Sequence, residues 1–185
     1  MTPLTALWLP IVLSAVVVFI ASSLIHMLLG YHNSDWARLP EEDKFRDALR
    51  GVSMPPGDYM TPRCDKPADM KTPEYQEKMK QGPVMVFTVL PNGQMGMGKA
   101  LVLWFIYTLI VSIFAGYIAG RALEPGVDYL EVFRFAGATA FAGYALGQLQ
   151  NSIWYARKWS TTIKNVIDGL IYGLLTAGVF GWLWP

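Results

Sequence analysis

The chain has 185 residues, 53% of them apolar and only 16% charged, with a net charge of +1. Apolar residues gathered in long runs exclude an ordinary soluble domain, and the near-zero net charge removes the case for a nucleic-acid partner. A single cysteine, Cys64, excludes an internal disulfide and a Cys-x-x-Cys site, and two histidines, His26 and His32, are few for a protein-built metal centre, so no metal is expected.

Leu7 to Gly30 contains no Lys, Arg, Asp or Glu. About 20 apolar residues cross a bilayer core, so residues 1–30 are predicted to form a first transmembrane helix. The run is too long for a leader peptide and has no basic stretch before it, so it reads as retained. Residues 31–96 are a polar insert with balanced charge. Pro40-Glu41-Glu42-Asp43 opens a short helix that Gly51 ends. Met54 to Pro67 is proline-rich loop. Thr72-Pro73-Glu74 opens a second short helix, stopped by Gly82. The β-branched run Val84 to Leu90 reads as a strand. Its partner is either Asp58–Thr61 or a strand of a neighbouring protein, met through Val84, Val86, Thr88 and Leu90. Residues 97–121, 127–156 and 160–185 are predicted as the second, third and fourth transmembrane helices. The fold class is therefore all-α and membrane-embedded: a four-helix bundle with one polar insert.

Residues four apart stack on one face of a helix. Gly169, Gly173, Ala177 and Gly181 thus form a ridge with almost no side chain on the fourth helix. Ser112, Gly116 and Gly120 do so on the second, and Thr139, Gly143 and Gly147 on the third. Lipid tails are as apolar as leucine, so helices in a membrane associate through close contact at such ridges. Three ridges predict a tight bundle.

Four spans put the insert and the Arg157-Lys158 loop on one side. All Lys and Arg except Arg121 and Arg134 then fall on that side, which the positive-inside bias makes cytoplasmic. Both termini are expected on the periplasmic side.

At the cytoplasmic end, His26, Gln148, Asn151, Lys164 and Asp168 share a similar depth. Lys164 and Asp168 are spaced to pair at i,i+4. Polar groups at membrane depth usually face protein or water. The cluster reads first as interhelical hydrogen bonding with an interfacial ion pair, and second as a small polar site for a lipid headgroup, a proton, or a pigment or haem ligand at His26. A single membrane histidine disfavours a pigment or haem at His26, and no cofactor is expected. Asp35, Asp43, Asp47, Asp58, Asp65 and Asp69 match no calcium loop and read as a solvated set.

PPGDYM (Pro55–Met60), VLPNG (Val89–Gly93), FRFAG (Phe133–Gly137) and the tail Lys158–Pro185 resemble a group of small multi-pass bacterial membrane proteins. The resemblance implies a bacterial inner-membrane protein of this topology and implies no activity or catalytic residues. The functional expectation is a non-catalytic accessory subunit that packs into a larger membrane complex, respiratory or photosynthetic, with other integral membrane subunits and the bilayer as its partners. A small oligomeric transporter or channel is the alternative, followed by a lipid-modifying enzyme. The helix centres hold little polar material for a pathway, and no acid–base or metal set supports an enzyme.

Overall fold

An apolar run in lipid can satisfy its backbone only by closing on itself as a helix or a barrel, and here the runs close as helices. In a computed structural model, which describes residues 1–93 and 96–185, the elements in chain order are α1 (Trp8–Leu28), α2 (Glu42–Arg50), β1 (Gly57–Thr61), α3 (Pro73–Gln81), β2 (Met85–Val89), α4 (Met97–Ala122), α5 (Tyr129–Tyr144), α6 (Leu149–Tyr155) and α7 (Trp159–Trp182). With its leading 3-10 turn, α1 covers 25 residues; α4 covers 26 and α7 covers 24. These three are long and apolar enough to cross a membrane.

The chain divides into two compact units. The helical unit holds residues 1–37 and 96–185. The second begins at Arg38. The expected insert therefore starts later than residue 31, because Tyr31–Asp35 folds as a 3-10 turn of the helical unit. Its residues Gln94 and Met95 lie outside the described residues.

In the helical unit, α1 packs on α4 and α7, and α5 packs on the same two helices. The core between them is built from Leu7, Ile11 and Val18, from Val111, Ala115 and Ala119, from Val132, Ala136 and Ala140, and from Tyr172 and Phe180. The closest approach is between α5 and α7. A Cβ on Gly169 would sit 3.1 Å from the Ala145 backbone nitrogen, one on Gly173 3.1 Å from that of Phe141, and one on Gly181 2.6 Å from the Tyr129 ring. Ala177 meets Gly137. On α4, Ser112 is buried and hydrogen-bonded to Ser14 (3.0 Å), and Gly116 takes Ile11 and Phe180. Gly120 makes room for the Thr2 carbonyl, 2.6 Å from where a Cβ would stand. Thr2 N–H donates to that same glycine's carbonyl at 2.8 Å.

Two expectations for the third helix need correction. First, it is not continuous over 127–156. α5 stops at Tyr144, a 3-10 turn follows at Leu146–Gln148, and α6 resumes at Leu149. Sixteen residues of α5 rise only about 24 Å, short of a bilayer core of about 30 Å. The break falls where the Ala145 backbone drops against Gly169 of α7 and where Gly147 weakens the helix. Second, the packed face of α5 is built from Val132, Ala136, Gly137 and Ala140, and of the expected ridge Thr139 and Gly147 do not belong to it. Thr139 is only part-buried and bonds back to the Phe135 carbonyl, and a Cβ on Gly147 would meet nothing within 4 Å. Gly143 alone of the three is close-packed, against Val111.

In the smaller unit, β2 pairs antiparallel with β1, Tyr59 opposite Phe87 and Met60 opposite Val86. The strand's partner is thus the chain's own Gly57–Thr61. Val86 and Thr88 face outward on β2, flanked by exposed Val84 and Leu90. Thr72 caps α3 by accepting from Tyr75 N–H at 3.4 Å, with Pro73 in the first turn. Among residues 38–93 no side chain is fully buried.

Candidate functional site

α1 ends at Leu28, and Gly30 takes φ +64, a left-handed conformation that glycine adopts without strain. That turn reverses the chain, so the polar run Tyr31–Asp35 folds back over the start of α7. Three segments then bring their charged groups together: the last turn of α1, the 3-10 turn, and α7 between Lys164 and Asp168.

His32 is the hinge of the network. Its Nδ1 lies 2.7 Å from Asp35 Oδ2, and its Nε2 lies 2.8 Å from Asp168 Oδ2. Lys164 Nζ donates to Asp35 Oδ1 (2.8 Å), Ser34 Oγ (2.8 Å) and the Tyr31 carbonyl (2.5 Å). His26 approaches the same Asp168 oxygen at 3.8 Å, with its ring centroid 4.2 Å from that of His32. Burial would raise the Asp35 pKa, but hydrogen bonds and charge from Lys164 and His32 outweigh it and hold the carboxyl below the ordinary carboxylate range.

Asp168 is 2% exposed. It sits about 13 Å along α7 from Trp159, at the helical rise of 1.5 Å per residue. Among the described residues its Oδ1 has no hydrogen-bond partner, and neither does the Tyr172 hydroxyl one turn further on. Beyond Tyr172 lies an aromatic layer. Tyr172 packs on Tyr144 (5.5 Å between centroids) and on Trp104 (6.1 Å). Trp104 Nε1 donates to Ser22 at 2.7 Å, and Tyr107 donates to the Gly143 carbonyl at 2.7 Å. These aromatics close the interior above the polar cluster. On the other side, the cluster opens into a cavity of about 500 Å³ bounded by Asn33, Trp36, Arg157 and Asn165.

The expected group is only partly assembled. His26, Lys164 and Asp168 meet in it. Gln148 and Asn151 bond to each other at 3.3 Å instead. Lys164 and Asp168 do not pair along α7: the lysine is taken by Asp35 and the aspartate by the histidines. Asp35 thereby leaves the solvated set, its side chain 7% exposed. His32 and Asp35 are the members that sequence reasoning missed. The signal for them was present: a glycine just past an apolar helix, followed by a histidine and an aspartate three residues apart, in a segment that must turn back.

Compared with known protein families, with curated proteins and with solved structures, the chain matches none.

Proposed function

We propose that this chain is a non-catalytic subunit of a larger membrane assembly, in which the helical unit is the anchor and residues 38–93 are the docking arm. The observation that carries this reading is the arm's lack of a core. A segment of that size with no fully buried side chain gains little hydrophobic stabilisation of its own. Its apolar residues are spread outward: Met60, Val84, Val86 and Leu90 are each at least half exposed along one face of the two-stranded sheet. A neighbouring subunit would cover them. The pairing of β2 with β1 removes the unpaired strand as a reason for this reading, and the uncovered face takes its place.

In this reading the α5–α6 segment completes a fourth crossing despite its break. In this reading the arm lies in the cytoplasm of a bacterium and the termini lie across the inner membrane, an orientation that the positive-inside bias of the basic residues supports. The bundle centre supports an anchor rather than a pathway, because Ser14, Thr108, Ser112 and Thr176 are buried there with their hydroxyls bonded to neighbouring groups. The test is a Val86→Asp/Leu90→Asp variant expressed in place of the native chain. It inserts and keeps its helical content but is lost from the assembly on a native gel. A variant that stays at native stoichiometry overturns the reading.

A further inference from the structure

Asp168 is unfinished. Among the described residues one oxygen of its buried carboxylate has no donor, and the other is faced by two imidazole nitrogens. A buried carboxylate left so is costly unless it is protonated or a cation completes it. The nearby lysine does not do so, because Lys164 spends its donors on Asp35, Ser34 and Tyr31.

We propose that His26, His32 and Asp168 form a three-ligand site for a divalent first-row transition ion, with zinc the ion it suits best. His26, His32 and Asp168 each present a ligand atom, all within 4.8 Å of one another. Around a tetrahedral ion with bonds of about 2.0–2.1 Å, ligand atoms stand about 3.3 Å apart. The observed separations of 2.8 and 3.8 Å from Asp168 Oδ2 bracket that value.

The surroundings have the form of a metal shell. A metal-bound histidine donates its second ring N–H to a carboxylate, which fixes the tautomer. Asp35, an acceptor, stands 2.7 Å from His32 Nδ1 and leaves Nε2 aimed at Asp168. Lys164 and Ser34 in turn hold Asp35. Two imidazoles and one carboxylate are the donor set of zinc sites that keep a fourth position for water. The cavity bounded by Asn33, Trp36, Arg157 and Asn165 gives that water and the ion a route in. The ion would tie the end of α1 and the Tyr31–Asp35 turn to α7. All the ligands belong to one chain, so occupancy does not depend on a partner.

The experiment is elemental analysis of the full chain, extracted in mild detergent and passed over a chelating resin. The wild type should retain about one zinc per chain. His32→Ala and Asp168→Asn should lose it at least tenfold, while Gln148→Ala should keep it, all with unchanged gel-filtration profiles. A second measurement needs no variant: Co²⁺ titrated into the chelator-stripped wild type should give visible d–d bands that saturate near one equivalent and are bleached by Zn²⁺. A wild type with neither retained metal nor cobalt bands overturns the site. Bands that persist in a folded Asp168→Asn/His32→Ala chain overturn it equally. In either case His32 bridges Asp35 and Asp168 through hydrogen bonds alone.

Discussion

Lys164 has two carboxylates within reach of its neighbourhood and chooses the one off its own helix. Its side chain is 20% exposed and that of Asp35 7% exposed, so the pair is largely withdrawn from water. Removing one partner of such a pair strands the other charge, at a cost of about 3 kcal/mol. Lys164→Met should therefore lower the thermal midpoint of the detergent-solubilised chain markedly. Lys164→Met/Asp35→Leu should recover most of the loss, because replacing both charges leaves none stranded. A double variant as unstable as the single one would show that Asp35 holds its turn through His32 rather than through the lysine. Helix spacing made a Lys164–Asp168 pair legible in the sequence, but it describes one element at a time. The cluster is assembled from three elements, and nothing in the spacing of α7 announces a carboxylate on a turn 129 positions earlier. Asp35 looked like the other loop aspartates because its burial depends on Gly30 reversing the chain.

At the scale of elements, the α5–α7 contact sets the bundle. Gly173 faces the Phe141 backbone, which cannot swing aside as a side chain can. Gly173→Leu should force α5 and α7 apart and destabilise the bundle by at least about 2–3 kcal/mol. Gly147→Ala, with open space around it, should change stability by no more than about 0.5 kcal/mol. Denaturation monitored by circular dichroism in detergent separates the two, and similar losses at both positions would contradict the packing described. The ridge on α7 could be read from the sequence because four small residues lie in one i,i+4 line and, Thr176 and Gly178 apart, the residues between them are large. α5 offers several such lines among its alanines and glycines, and which line is used depends on what α4 and α7 present. The break at Ala145 was legible only in part: Gly147 weakens the helix locally, but the approach of the Ala145 backbone to Gly169 is not encoded in the local sequence.

For the whole molecule, the long apolar runs made the spanning helices legible from composition alone, since length and absence of charge are enough. The insert's outer boundary was not, because Tyr31–Asp35 is polar by composition yet belongs to the helical unit by its contacts. Orientation is open to a direct test with the chain's single cysteine, Cys64, which lies in the arm. A membrane-impermeant maleimide should fail to label Cys64 in intact cells whose outer membrane has been opened, and should label it in inverted inner-membrane vesicles. Labelling from the periplasmic face would reverse the topology and put the arm's partner on the other side.

In the proposed reading, a neighbouring subunit covers the coreless residues 38–93. The most direct measurement is gentle extraction from native membranes followed by native mass spectrometry. The account predicts that the chain migrates in a larger complex at fixed stoichiometry, with cross-links running from the β2 face to a different subunit. A particle containing only this chain, intact and with the arm protected from protease, would contradict it.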